Sequence, residues 1–249
     1  MNFDNSTILI TGGNSGIGRA LAEALAARGA RIIITGRNKD RLAEVVAANP
    51  GMFAYELDVT SAEEIRAVAQ AIVSEHPDLN AVIHNAGILP YENVLAERYD
   101  MEIVETVFST NLTAPIRLTA ELLPHLRTKA EAAIVTVSSG LAFVPLASAS
   151  AYSASKAAIH SWSQSMRHEL RGTAIAVLEI VPPLVATELT PGQSNNPHAM
   201  PLDAFVTETV DLLCADVTPN EVLVQRVTPQ RTAEQTGNFD KVFGMINPA

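Results

Sequence analysis

Residues 7–18 read Thr-Ile-Leu-Ile-Thr-Gly-Gly-Asn-Ser-Gly-Ile-Gly, a short apolar run followed at once by a cluster of glycines. The run at 7–10 is of the kind that is buried on both faces of a parallel sheet. A helix is expected to begin near Ser15, because apolar residues then recur with a helical period, and Gly29 is expected to end it as a cap. This order of strand, glycine turn and amphipathic helix predicts the first unit of an α/β sheet.

The same alternation continues along the chain. Further strands are predicted at 31–35, 52–57, 79–84, 132–137, 174–181 and 221–227. Further helices are predicted at 39–48, 61–75, 99–127, 151–170 and 203–214. The spacing is typical of an α/β fold with a Rossmann-type doubly wound parallel sheet, here as a single domain over residues 1–249. Residues 188–202, rich in Pro, Asn, Gly and Ser, predict a mobile substrate loop, and the tail at 228–249 has no pattern that we could interpret.

Composition narrows the class of function. The 249 residues carry a net charge of −10, which disfavours nucleic acid and anionic membranes as partners. The N-terminus lacks the basic region of a signal peptide and no apolar run reaches 18 residues, so a cytoplasmic protein without a membrane span is expected. Cys214, the one cysteine, is interpreted as a small buried apolar residue. The six scattered histidines lack ligand spacing, so no metal site is expected.

The glycine cluster is expected to bind the phosphates of a dinucleotide. Glycine lets the backbone approach a pyrophosphate, and the N-terminus of the following helix offers free N–H groups and a positive dipole end. An ordinary glycine-rich turn is the alternative, and the position between a strand and a helix disfavours it. The residues expected to bind here are Gly12, Asn14, Ser15, Gly16, Ile17 and Gly18.

The end of the second strand bears on the choice of nicotinamide cofactor. An acidic residue about 20 positions after the glycines would bind the ribose 2′-OH of NAD. Here Gly36 holds that position and Arg37 follows, with a guanidinium suited to a 2′-phosphate. Both features favour NADP(H), with NAD(H) as the alternative. For Arg37 the alternative is a solvated side chain at the start of a helix.

A candidate acid/base group follows the fifth strand. Ser139 closes that strand, and thirteen residues later the chain reads Tyr152-Ser-Ala-Ser-Lys156. Tyr152 and Lys156 share one helical face, and a nearby ammonium lowers the pKa of a phenol from its usual value of about 10. Tyr152 could then donate or accept a proton, with Ser139 orienting the substrate oxygen. Such a pair taken alone is common on helix surfaces.

Asn111 is the fourth candidate. It lies on the apolar stripe of the long helix, where a polar side chain must find hydrogen bonds. Pro115 has no N–H, so the Asn111 carbonyl loses its usual helical partner and becomes a natural water site. A kinked core helix with a satisfied asparagine is the alternative.

In combination, the T-G-x-x-x-G-x-G spacing, Ser139, Tyr152 and Lys156 resemble the short-chain dehydrogenase/reductase family. His-Asn-Ala-Gly at 84–87 is similar to the family's N-N-A-G, and Pro-Pro-Leu-Val-Ala-Thr at 182–187 to its P-G-x-V-x-T. Proline thus replaces the glycine at 183, which implies a stiffer loop with cofactor binding retained. The resemblance covers about residues 5–190.

The resemblance implies roles for particular residues. The catalytic group would be Asn111, Ser139, Tyr152 and Lys156, in which the lysine binds the nicotinamide ribose and the asparagine carbonyl holds a water. The further cofactor contacts that it implies are Asp58, Val59, Asn85, Ala86, Gly87, Tyr152, Lys156, Pro182, Val185 and Thr187. Asn85 is also expected to brace the sheet, and His84 is interpreted as structural.

The resemblance also implies hydride transfer between NADP(H) and the carbonyl or alcohol of a small molecule. Residues 88–94, 141–146 and 188–201 should line an apolar substrate pocket. A homodimer is implied before a homotetramer, because the polar tail departs from the family's C-terminal pattern. The alternatives are a non-catalytic NADP-binding sensor, which the intact Tyr/Lys pair disfavours, and an epimerase or lyase, which would need a larger substrate region.

Overall fold

The computed structural model describes residues 3–248, and within them a parallel sheet of seven strands lies between two layers of helices. The strands are β1 Thr7–Thr11, β2 Arg31–Gly36, β3 Phe53–Glu56, β4 Leu79–His84, β5 Ala132–Val137, β6 Ile175–Val181 and β7 Glu221–Leu223. The helices are α1 Gly16–Ala27, α2 Lys39–Ala48, α3 Ala62–Glu75, α4 Met101–Phe108, α5 Ala114–Leu126, α6 Ser150–Glu169, α7 Leu202–Leu213, α8 Thr228–Arg231 and α9 Phe239–Ile246. The doubly wound Rossmann-type fold in a single domain is therefore confirmed.

The strand order is β3-β2-β1-β4-β5-β6-β7, and every neighbouring pair is parallel. The chain winds outward from β1 in one direction through β2 and β3, and in the other through β4 to β7. The order reverses between β1 and β4, so the carboxyl ends of these two strands border the crevice in which such sheets bind ligands.

The core has two parts, one on each face of the sheet. Along β1, Ile8 and Ile10 pack into the cluster shared with α1, α2 and α7, whereas Leu9 packs into the cluster shared with α3, α5 and α6. A strand covered on both faces has no polar side to expose, which is why these strands read as continuous apolar runs.

The helical pattern predicted at 99–127 is confirmed, and the helix runs without a break over residues 101–126. It is α4 and α5, joined by a π-helical turn at Ser109–Thr113. Pro115 lies in the first turn of α5, where its missing N–H is tolerated, and the wider turn before it accommodates the lost hydrogen bond.

The last strand is shorter than predicted, and the tail is structured. β7 pairs with Glu179–Val181 of β6 and ends at Leu223, because β6 itself ends there and is followed by two prolines. Residues 225–227 form a 3₁₀ turn instead, and the tail beyond contains α8 and α9. Cys214 is half-buried, not fully buried as predicted, beside Asp4 and Arg28.

None of the helices formed by residues 3–248 combines the length and the apolar character needed to span a lipid bilayer.

Candidate active site

A cleft of about 660 Å³ opens at the carboxyl edge of the sheet. Three of the four predicted catalytic residues line it: Ser139, Tyr152 and Lys156. The predicted cofactor residues in its wall are Gly12, Asn14, Ser15, Gly16, Ile17, Arg37, Asp58, Val59, Asn85, Ala86, Gly87, Tyr152, Lys156, Pro182, Val185 and Thr187. Asn111 and Gly18 lie directly behind this wall, where they support residues that form it.

The glycine loop has the conformation that its sequence requires. Gly12 has φ 65° and Gly16 has φ 51°, in the left-handed region that favours glycine. Ser15 is the N-cap residue of α1, and within the described chain its side chain makes no capping hydrogen bond. The first N–H groups of α1 therefore face the cleft as an anion-binding helix end.

Asn85 ties the loop to the neighbouring strand, as the sequence suggested. Its side-chain amide donates to the carbonyl oxygens of Thr11 at 3.0 Å and Gly12 at 3.3 Å. The Thr11 hydroxyl in turn accepts from the backbone N–H groups of Asn85 and Ala86, both at 3.0 Å. These bonds join the ends of β1 and β4 at the point where the strand order reverses.

The far end of the cleft is basic. Arg37 follows β2 at this end. The pKa of Asp58 is lowered, mainly because the Thr60 N–H donates to its carboxylate at 2.9 Å. The charge of Arg37 lowers this pKa further by a smaller amount. Arg41, which the sequence reasoning missed, also lines this end. The sequence did hold a signal for Arg41, because it lies four residues after Arg37 in the first turn of the helix that Asn38 caps, and residues at that spacing are neighbours. Two arginines thus line this end of the cleft.

The predicted acid/base group is deeply buried. Tyr152 is 6% exposed and Lys156 is 5% exposed. Burial raises the pKa of Tyr152 to about 12, against a smaller lowering by a hydrogen bond with Ser139. The net pKa shift of this phenol is therefore opposite in direction to the lowering expected from the Lys156 ammonium. The cause is desolvation, which disfavours the phenolate, while the ammonium lies 5.5 Å from the ring centroid.

Lys156 is held by the sheet. Its Nζ donates to the Val137 carbonyl at the end of β5, at 2.8 Å. Burial lowers the pKa of this ammonium to about 8, and the charge of Glu179 partly opposes that effect. Gly87 leaves room beside it, because a Cβ at Gly87 would contact Asn111 Oδ1 at 3.3 Å and Lys156 Nζ at 3.6 Å. The loop after β4 therefore meets Asn111 and Lys156 at one point.

Asn111 acts through its side chain. Its Oδ1 accepts from the Ile88 N–H at 2.9 Å, and its Nδ2 donates to the Ile88 carbonyl at 3.0 Å and to Ser155 Oγ at 3.1 Å. The π turn gives the residue this inward position. Asn111 thus joins the loop after β4 to α6, between Tyr152 and Lys156.

Glu92 is a second tie between that loop and α6, and the sequence reasoning missed it. Its carboxylate accepts from the Ala151 N–H at 2.7 Å and from Ser150 Oγ at 2.9 Å. An acidic side chain at a helix N-terminus is favourable, and this one fixes the turn just before Tyr152. Nothing local in the sequence pairs position 92 with position 151.

Two segments that the sequence left without regular structure are anchored to the rest of the fold. The predicted loop at 188–202 is joined to Val185 by a parallel bridge to Met200, and Gln193 Nε2 donates to the Val185 carbonyl at 2.8 Å. The tail contacts the loop after β5, where Asn247 Nδ2 donates to the Pro145 carbonyl at 3.0 Å. The tail therefore supports the loop that follows Ser139.

His84 is structural, and it makes a testable contribution to stability. It is buried at the end of β4 with Nε2 2.8 Å from Thr119 Oγ1, and burial lowers its pKa to about 3. As the pH falls, His84 is protonated in the unfolded chain, at a pKa of about 6.5, before it is protonated in the folded protein. The His84 contribution is therefore complete above pH 6.5, and about 2 kcal/mol of unfolding free energy should be lost between pH 7 and pH 5.

We expect a His84→Asn variant, which restores the family's first motif residue, to show a smaller loss over that range in urea unfolding. His168→Asn, at an exposed position on α6, is the control and should follow the wild type. An unchanged pH dependence in His84→Asn would contradict the assignment of a buried neutral histidine.

Among the described residues, no group of three or more His, Cys, Asp or Glu side chains is arranged to hold a metal ion.

Comparison with known proteins gives a consistent match. Residues 6–198 match the family model for short chain dehydrogenases. An uncharacterised oxidoreductase of Bacillus subtilis, DltE, is 41% identical over 99% of this chain and 98% of its own length. A short chain dehydrogenase from Burkholderia cenocepacia, solved with NADP, superimposes with a TM-score of 0.81 at 25% identity over the whole of both chains. One from Burkholderia phymatum, solved with NAD, has a TM-score of 0.82 at 20% identity over 96% of this chain and 97% of that one.

Proposed function

The chain belongs to the short-chain dehydrogenase family, and from that premise we propose that it moves a hydride between NADP(H) and the carbonyl or alcohol carbon of a small apolar molecule, with Tyr152 as the acid/base. The observation that carries this proposal is the cleft itself. Its wall joins the glycine loop and the helix end of α1 to Tyr152, Lys156 and Ser139. Hydride transfer needs this proximity of a dinucleotide cradle and a proton donor.

The cradle fits a dinucleotide. A Cβ at Gly12 would come within 3.0 Å of Ala86 Cα, so the backbone is already at its closest approach there. The N–H groups at the start of α1 would hold the pyrophosphate, and Lys156 would hold the nicotinamide ribose. When bound, the nicotinamide ring supplies the site that gives or takes the hydride.

The protein's own residues manage the proton and the substrate oxygen. In reduction, Tyr152 donates its phenolic proton to the carbonyl oxygen as the carbon gains the hydride, and Ser139 hydrogen-bonds the same oxygen. A phenol with a pKa near 12 is protonated at neutral pH and can act as this acid. The nearby positive charge of Lys156 then stabilises the phenolate until it regains a proton.

Two exposed apolar side chains support an apolar substrate. Leu184 and Leu189 are each 41% exposed beside the cleft, and Leu189 and Ile88 line its wall. A bound apolar group would cover this surface at the entrance to the Tyr152 hydroxyl.

The choice of cofactor can be tested by thermal unfolding. A ligand present at about 100 times its dissociation constant adds about 2.7 kcal/mol of stability. We expect the unfolding midpoint to rise more with NADPH than with NADH at equal concentration, because Arg37 and Arg41 can pair with the 2′-phosphate. Arg37→Gln should reduce the NADPH shift and leave the NADH shift unchanged.

Arg66→Gln, on the exposed surface of α3, is the matched control and should keep the wild-type shifts. Equal shifts with both cofactors would contradict the NADP(H) preference. The absence of any shift would contradict the dinucleotide site, and shifts without turnover on a panel of carbonyl compounds would support a non-catalytic regulator.

A further inference from the structure

Glu179 is a buried carboxylate that the proposed mechanism does not use. It lies in β6, whose other residues are apolar, and its side chain is 0% exposed. A charged group in this position is costly unless other groups compensate it. Its partners therefore indicate what it does.

The first partner is His160 of α6. His160 Nδ1 lies 2.8 Å and 3.0 Å from the two Glu179 carboxylate oxygens, and the Gln164 amide lies 3.0 Å from the other ring nitrogen. The Phe143 ring packs edge-on against the imidazole at 4.8 Å. His160 is one helical turn after Lys156, so the two side chains share the face of α6 that packs on the sheet.

The geometry of the sheet brings Glu179 close to Lys156. Lys156 Nζ donates to the Val137 carbonyl, and Val137 follows Thr136, the register partner of Glu179 on β5. The Thr136 side chain points to α6, since its hydroxyl lies 2.8 Å from Ser163 Oγ, and Glu179 points to the same helix. The ammonium and the carboxylate thus lie under one helix, about one residue apart along adjacent strands.

The other charged groups on this side do not replace Glu179. Glu221, its register partner on β7, is held by Arg231 with two hydrogen bonds of 2.5 Å and 3.0 Å. Arg231 also exerts a weak attraction on Glu179, and its guanidinium lies 4.6 Å over the Phe143 ring. Arg167 donates to the carbonyls of Val177 and Asn220. Glu221 is hydrogen-bonded to Arg231 and also attracts His160 and Arg167 at longer range, whereas Glu179 is hydrogen-bonded to His160.

We propose that Glu179 is a positioning residue for Lys156, a buried anion held by His160 that keeps the lysine charged beneath α6. The consequence for catalysis rests on the proposed function, in which Lys156 must be an ammonium. The effect of the Glu179 charge on the pKa of Lys156 does not depend on the proposed function. The Glu179 charge raises the pKa of Lys156 against the burial that lowers it to about 8, so its removal should lower that pKa further.

The full sequence contains four lysines, which makes the ionisation of Lys156 directly measurable. We would label lysine with ¹³C at Cε and follow its NMR shift against pH, assigning Lys156 by its loss in Lys156→Arg. In Glu179→Gln the Lys156 midpoint should move to lower pH by about one unit, the effect of one charge across partly desolvated protein. Glu221→Gln removes the same charge from the adjacent strand and should leave the midpoint unchanged.

An unchanged Lys156 midpoint in Glu179→Gln, or an equal shift in Glu221→Gln, would overturn the proposal. If Glu179→Gln does not fold, the double variant Glu179→Ala/His160→Ala removes the anion with its partner, and the same shift is expected. Since this readout needs neither cofactor nor turnover, it is independent of the proposed function. A shifted midpoint in a protein that never turns over would refute only that function, whereas an unchanged midpoint in an active enzyme would refute only the role of Glu179.

Discussion

Tyr152→Phe is expected to reduce kcat by a factor of about 10² to 10⁴ and to leave cofactor binding nearly intact. The substitution removes one hydroxyl and keeps the ring, which is buried. Without the phenolic proton, the substrate oxygen has no acid to neutralise it as the hydride arrives. Steady-state kinetics with NADPH and an accepted carbonyl substrate would measure the loss, and the NADPH-induced rise in the unfolding midpoint would show that the cradle still binds.

Tyr55→Phe is the matched control for this experiment. Tyr55 lies on β3, away from the cleft, and burial also raises its pKa to about 12. Its hydroxyl donates to the Glu75 carboxylate at 2.7 Å. Its loss should cost some stability but no more than a small part of kcat. If Tyr152→Phe kept kcat within tenfold of the wild type, another group would have to supply the proton and the assignment of Tyr152 would fail.

The layout of the sheet was predictable because a strand that is buried on both faces consists of consecutive apolar residues. The runs around Leu9, Ile33 and Val82 are uninterrupted, and the first six strands lie within one or two residues of their predicted ends. The errors arose where a residue's conformation depends on a distant neighbour. β7 ends at Leu223 because its partner β6 ends at Val181, and the apolar pattern at 221–227 does not indicate where β6 ends.

In the candidate site too, features set by the local sequence were predictable and features set by distant neighbours were not. The glycine loop was predictable from its position between a strand and a helix, and the placement of Ser139, Tyr152 and Lys156 in one cleft was expected from the family resemblance. The carboxylate of Glu92 at the start of α6 was not, since its contact depends on tertiary packing. The sign of the Tyr152 pKa shift was also beyond reach, because desolvation depends on how closely the surrounding chain covers the phenol.

Glu179 is an intermediate case. The apolar run of β6 contains a single charge, and a buried charge needs a partner, but the sequence reasoning missed it. Its partner could not be named, because His160 and Lys156 come to it from α6, and the register that brings them together is a property of the folded sheet.

Gly18→Ala is expected to abolish the NADPH-induced rise in the unfolding midpoint and to lower the free energy of unfolding by about 1 to 3 kcal/mol. A Cβ at Gly18 would overlap the Asn85 side-chain amide and the Gly12 carbonyl oxygen. Asn85 and Gly12 are the two sides of the hydrogen bond that joins β4 to the glycine loop. The backbone atoms cannot move aside without widening the loop, so both stability and phosphate binding should suffer from one added methyl group.

The size of this effect depends on crowding and not on the intrinsic preference of a helix, which favours alanine over glycine by roughly 1 kcal/mol. Gly244→Ala therefore separates the two effects, because Gly244 lies inside α9 and an added Cβ there meets no atom within 4 Å. This control should equal or exceed the wild type in urea unfolding and keep the full NADPH shift. If Gly18→Ala behaved like Gly244→Ala in both measurements, the loop would tolerate a wider turn, and close approach of its backbone would not be the reason for the glycine.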